Sequence, residues 1–127
     1  ADCVILTRGS VDPHNPKTVR SSVGSIFHLP VLVGVDLADA VEWAHRHHMT
    51  VLAADGGGHG LDAVARSGRL KAPIAWLMGN EAWGLPETDR ALADEVDGVP
   101  MWGSAESLNL STAAAVVLYA TASEQRA

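Results

Sequence analysis

An α/β fold, a parallel sheet with helices on both faces, is predicted by three observations. Short and nearly unbroken apolar runs recur along the chain: Val4-Ile5-Leu6, Val31-Leu32-Val33, Val51-Leu52-Ala53-Ala54 and Ile74-Ala75-Trp76-Leu77-Met78. Strands that are apolar without alternation are buried on both sides, as parallel strands are. Between these runs, apolar residues return at helical spacing instead, and the resulting βαβα order is that of a sheet crossed over by helices.

Each element has its own local cause. After the first strand, Asn15 and Pro16 supply an N-cap and a proline at the first helical position. Val19, Val23, Ile26 and Phe27 then fall on one helical face. Asp36 caps a second helix with Leu37, Ala40, Val41 and Ala44 on its inner side. The run Gly56-Gly57-Gly58-His59-Gly60 reads as a flexible loop, and residues 61–67 as a short third helix. Pro86 opens another short helix through Leu92, and Val96 to Met101 is a weaker fifth strand. The last helix starts near Leu108 and places Leu110, Ala113, Ala114, Val117 and Leu118 on one stripe, with residues 121–127 a polar, frayed tail. Repeats, low-complexity segments and interdomain linkers are missing, so residues 1–127 read as one domain.

Composition narrows the function. The chain has 127 residues, 47% hydrophobic and 19% charged, enough apolar content for a core. Nine Lys and Arg against fifteen Asp and Glu give a formal charge of −6. A domain gripping nucleic acid mainly through phosphates is normally basic, so any RNA contact must be local or supplied elsewhere. The single Cys3 excludes an intrachain disulfide and a multi-cysteine metal site, and reads as an inert core thiol. No apolar run approaches the roughly 20 residues of a membrane-spanning helix, and no signal peptide is visible; a soluble cytoplasmic protein is expected.

Three loops follow strands at the side of a parallel sheet where ligands bind. Gly9 to Pro16 leads into a helix carrying Arg20, Ser21, Ser22, Gly24 and Ser25. Gly24 there reads either as helix packing or as close approach of a ligand. In Gly79-Asn80-Glu81-Ala82-Trp83-Gly84-Leu85-Pro86, two glycines bracket a carboxylate and an amide. It is either a plain strand-to-helix turn or a loop whose backbone meets a ligand, with Glu81 beside it. Val99 to Ser111 turns at Gly103 and enters the last helix with Ser107, Asn109 and Ser111. Ordinary capping and anion binding at a helix N-terminus both fit. The glycine run at 56–60 matches neither the dinucleotide pattern nor the P-loop. His45, His47 and His48 lie at a helix end, where cations offset the dipole, and lack a metalloprotease spacing. No serine sits in a nucleophile elbow.

Three segments in this order resemble the SpoU/TrmH family of RNA ribose 2′-O-methyltransferases, within the SPOUT superfamily: residues 9–31 (GSVDPHNPKTVRSSVGSIFHLPV), 77–86 (LMGNEAWGLP) and 99–119 (VPMWGSAESLNLSTAAAVVLY). The last two are similar to the family's second and third signature motifs. The resemblance implies S-adenosylmethionine as methyl donor, RNA (rRNA or tRNA) as substrate, a homodimer and no metal. It also implies a SPOUT-type sheet whose C-terminal part is threaded into a trefoil knot, a rarity that no periodicity reveals. Gly79, Val99, Met101 and Leu108 would hold the cofactor, largely through backbone atoms. Ser107, Asn109 and Glu81 would form the methyl-transfer site, and Arg20 would touch RNA phosphate. The segment with Asn15 and Arg20 fits the block after the family's first motif, so that motif and its activating arginine are expected upstream of residue 1. The rival reading is a non-catalytic α/β nucleotide-binding or dimerisation module.

Overall fold

The computed structural model describes residues 2–7, 29–79, 85–98 and 110–126, with 56–59 and 110–111 described by backbone alone. They form two compact units, residues 1–42 and 43–127. In the first unit, β1 (Val4–Thr7) pairs in parallel with β2 (Val31–Val35), Val4 opposite Val31 and Leu6 opposite Val33. Helix α1 (Leu37–Arg46) follows at once, starting one residue after Asp36 as expected.

The second unit is built on β3 (Thr50–Gly60), with β4 (Ile74–Met78) on one side and β5 (Glu95–Gly98) on the other, all parallel. The described strand pairings therefore make two ladders, β1-β2 and β4-β3-β5, where a single run of strands was expected; the parallel sense holds throughout. Leu52 of the central strand is fully buried, and so are its neighbours Val51 and Ala53. Alternate strand residues point to opposite faces, so β3 is covered on both, which accounts for its unbroken apolar run. On one face Leu52 packs with Leu61 and Val64 of α2 (Leu61–Arg66), Leu70 of a 3₁₀ turn (Arg69–Lys71), and Val117 of the last helix. Ile74, Trp76 and Met78, alternate residues of β4, join this cluster.

After β4, a single-turn helix α3 (Glu87–Arg90) follows Pro86, and α4 (Leu110–Gln125) ends the chain. Two expectations about α4 need correction. The helix runs through Gln125, where a frayed tail from residue 121 was predicted, because residue 121 is anchored. The buried Thr121 hydroxyl accepts a hydrogen bond from the Trp76 indole N–H (2.9 Å) and donates to the Val117 carbonyl (2.7 Å). Gln125 adds a bond from its amide to the Ala72 carbonyl (2.8 Å). Leu118, placed on the inner stripe, is exposed, since the stripe advances from Val117 to Thr121 by one helical turn. Ala115, Leu118, Tyr119 and Ala122 face outward instead, Tyr119 at 77% exposure.

Two further differences lie in the strands. β5 begins at Glu95, a residue before its predicted start, and is followed through Gly98. β3 continues through the glycine run that read as a loop: Ala54 and His59 both lie opposite Asp97, and Gly60 opposite Gly98. Residues 55–58 are thus an insertion in a ladder that resumes on the far side. Cys3 is a free thiol just before β1, half-buried rather than in the core.

The end of α1 shows what the histidines do. His48 has φ of 60°, the left-handed region; the His48 N–H bonds the His45 carbonyl (3.1 Å) and the Met49 N–H the Ala44 carbonyl (2.9 Å). This double bond pattern is the Schellman stop, with histidine where glycine is commonest. His47 stacks on Trp43 with centroids 4.2 Å apart and hydrogen-bonds the Trp43 carbonyl through Nδ1 (2.8 Å). His45 reaches Asp94 through Nε2, 2.9 and 3.0 Å from its two oxygens. Among the described residues no helix is long and apolar enough to cross a membrane.

Candidate functional site

Because β3, β4 and β5 run in the same direction, their carboxyl ends share one edge of their sheet. The registers locate it: Met78 lies beside Ala54, and Asp97 lies beside Ala54 from the other flank. Each outer strand ends on a glycine, Gly79 after β4 and Gly98 within β5, and Gly98 is buried. With no Cβ at these exits, main-chain N–H and C=O groups can meet a ligand closely. The segments that the sequence singles out, 80–84 and 99–109, begin from these two exits on either side of β3.

The polar groups at this edge come from β3, β5 and α3. Asp55, the residue after the last regular β3–β4 pair, accepts a hydrogen bond from Arg90 Nη1 of α3 at 3.1 Å. On β5, Glu95 and Asp97 are two residues apart and share a face. Glu95 forms an ion pair with Arg69 of the 3₁₀ turn. That bond, together with the charge of Glu95, holds the Arg69 guanidinium above its ordinary pKa; burial opposes the shift and Asp97 adds a smaller push in the same direction. Asp97 is 1% exposed, an ionisable group inside the sheet layer next to Gly98. Asp94 sets the start of β5. Its N–H donates to the Val51 carbonyl (2.8 Å), and its Oδ2 accepts from the Val51 N–H (2.7 Å), as a strand carbonyl would. Partial burial raises the Asp94 pKa, and the bonds from Val51 and His45, with the charge of His45, outweigh it and leave the carboxyl below its ordinary value.

Of the residues assigned to cofactor, catalysis and RNA from the sequence, Gly79 is described, half-buried at the end of β4. Glu81, Val99, Met101, Ser107, Leu108, Asn109 and Arg20 lie outside the described residues, as do Gly9 to Pro16 and Gly24. The structure brings to the same edge groups the sequence reading passed over: Asp55, Arg90 and Asp97. A faint signal existed for Asp97, an acid inside the apolar run from Val96 to Met101 that reads as a strand. Nothing in the sequence paired Asp55 with Arg90, which are 35 residues apart. Among the described residues no group of three or more His, Cys, Asp or Glu could hold a metal ion.

Comparison with known proteins bears on what this edge serves. A 23S rRNA (uridine(2479)-2′-O)-methyltransferase of Streptomyces viridochromogenes is 35% identical over 118 residues, covering 91% of this chain and 41% of that protein. The 23S rRNA (guanosine(2553)-2′-O)-methyltransferase RlmP of Bacillus subtilis is 36% identical over 122 residues, covering 93% of this chain and 46% of its own. The crystal structure of the SpoU methyltransferase AviRb from Streptomyces viridochromogenes, in complex with the cofactor AdoMet, superposes with a TM-score of 0.82 at 28% identity. That match covers 98% of this chain and 48% of that one. The chain thus spans under half the length of these relatives. Residues 1–119 match the model of the SpoU rRNA Methylase family, and the chain belongs to that family.

Proposed function

We propose that the protein to which this chain belongs transfers a methyl group from S-adenosylmethionine to the ribose 2′-hydroxyl of a nucleotide in rRNA or tRNA. One observation carries the reading: the family match spans residues 1–119, and the strands before its second and third motifs end at one edge of a parallel sheet. Ligands bind at such edges. The exits at Gly79 and Gly98 fit a cofactor gripped through main-chain atoms, which is the role the resemblance gives Gly79, Val99, Met101 and Leu108. When bound, the cofactor supplies an activated methyl on a sulfonium. The protein's work is then alignment and removal of one proton.

The protein's own residues would hold the ribose 2′-hydroxyl toward that methyl and let the hydroxyl proton pass to a base. Ser107 and Asn109 orient ribose or phosphate at the start of the last helix, and Glu81 braces them. Arg20 meets a phosphate. The finer fold belongs to the same reading: the segment through 99–109 and α4 forms the trefoil knot of the SPOUT superfamily. So does assembly, a homodimer in the cytoplasm. The exposed stripe of Ala115, Leu118, Tyr119 and Ala122 supplies an apolar face suited to a second copy.

The test uses the full-length protein. Calorimetry should show binding of S-adenosylmethionine in preference to ATP and NAD, and Asn109→Ala should retain the fold while lowering single-turnover methyl transfer to RNA. A stronger preference for a dinucleotide, or unchanged transfer in the Asn109 variant, would overturn the reading or remove Asn109 from it.

A further inference from the structure

The segment Gly79 to Pro86 is flanked by two attachments that converge on one point of β3. On its amino side, Met78 is paired in the sheet ladder with Ala54. On its carboxyl side, Arg90 of α3 donates from Nη1 to Oδ2 of Asp55, the residue immediately after Ala54. The two attachments therefore fall on consecutive residues of the central strand. Leu85, which lies between them in sequence, is buried. Neither member of the pair lies within the signature motif itself.

We propose that Arg90 is a positioning residue for cofactor binding: paired with Asp55, it fixes α3 and Pro86 beside the Met78–Ala54 pair and so keeps the exit at Gly79 in its ligand-binding arrangement. The inference rests on the cofactor assignment above. The physical basis is preorganisation: a side-chain pair that fixes α3 against β3 fixes where the chain stands beside the Met78–Ala54 pair before any ligand arrives. If only part of the molecules hold the competent arrangement, apparent affinity falls by that fraction. An ion pair that raises the fraction acts on affinity without touching ligand. The side chains are 39% and 29% exposed, so the pair is partly screened and its contribution is modest.

The test measures S-adenosylhomocysteine binding to the full-length protein by calorimetry; this ligand has no net charge near neutrality, so salt acts on the protein. Removal of a partly exposed pair predicts a loss of affinity of about two- to five-fold for Arg90→Ala. Arg90→Lys, which keeps the charge, should restore most of it. Arg90→Ala should cost nothing further in an Asp55→Ala background, since the pair is already broken there. Wild-type affinity should also fall between about 0.01 and 1 M salt, as the screening length drops from about 30 to 3 Å, and the alanine variant should be nearly insensitive. Should Arg90→Ala not fold, Arg90→Gln answers the same question. A structural role alone would lower the melting temperature of the free protein and leave affinity as it was; that result, or additive effects of the two substitutions, overturns the proposal. A wild-type protein that binds no S-adenosylhomocysteine overturns the cofactor assignment itself, and this inference with it.

Discussion

Replacing Thr121 with valine isolates the contact that fixes the last helix to the sheet. Valine matches threonine in shape, so the substitution removes a hydroxyl and little else. That hydroxyl accepts from the Trp76 indole N–H at 2.9 Å and donates to the Val117 carbonyl at 2.7 Å, in a residue 8% exposed. Valine leaves the half-buried indole N–H without its acceptor, and stranding such a donor costs about 1–3 kcal/mol. The added methyl recovers part of this, so a net loss of about 1–2 kcal/mol is expected. Thr121→Ser should lose less, because it keeps the hydroxyl. The assay is a double-mutant cycle with Trp76→Phe, followed by urea unfolding. With the indole N–H gone, Thr121→Val has no donor to strand, and a coupling of about 1 kcal/mol should appear. Coupling indistinguishable from zero would show that the hydrogen bond does not anchor the helix.

Two more predictions concern the junction between α1 and the sheet. His48→Gly should stabilise the protein by up to about 1 kcal/mol: the left-handed conformation costs an L-residue about 1–2 kcal/mol, and glycine returns part of that as unfolded-chain entropy. Thermal unfolding reads this, and a lowered melting temperature would mean that the imidazole makes a contact worth more than the strain. Asp94 gives a pH signature. Its folded carboxyl titrates below its ordinary value, so its contribution is fully present above about pH 4 and is lost as pH falls through the folded pKa. Asp94→Asn keeps an acceptor for the Val51 N–H but no charge. It should lower stability by under about 1 kcal/mol near neutrality, because the pair is more than a third exposed, and should flatten the acid limb. An unchanged acid limb would remove Asp94 from the acid response.

What the sequence revealed and what it hid follow from range. Runs such as Val51-Leu52-Ala53-Ala54 and Ile74 to Met78 are legible because burial on both faces demands apolar residues at every position, a demand visible without knowing the partner strand. Asp36 before α1 and Pro86 before α3 are equally local. The histidines marked the end of α1, but its left-handed stop was hidden because that position is filled by His48, where the usual marker is glycine. The glycine run at 56–60 misled in the opposite way: it looked like loop, yet its last residues return to the ladder beside Asp97 and Gly98. The anchoring of Thr121 by Trp76 spans 45 residues, and no window-sized pattern could carry it. At the candidate site, the motif residues are assigned by resemblance alone. The acids and arginines of the edge were not legible, since Asp55–Arg90 and Glu95–Arg69 are pairings that only the fold makes.

This division bears on how the edge works. On the proposed function the motif residues specify what is held; in sequence they follow points that the described structure fixes. Those points are supplied by residues that carry no motif. Ala54 fixes Met78, Asp55 takes Arg90, and Val51 exchanges two hydrogen bonds with Asp94 so that β5 starts in register and Gly98 arrives at the same edge as Gly79. β3 is common to all three attachments. A perturbation of β3 should therefore reach both exits together, whereas a change at Arg90 should reach the Gly79 side alone. Comparing cofactor affinity in an Arg90 variant with that in Asp94→Asn separates the two flanks. If both variants altered binding in the same proportion as stability, the edge would be responding as one rigid body, and the division into two independently fixed exits would fail.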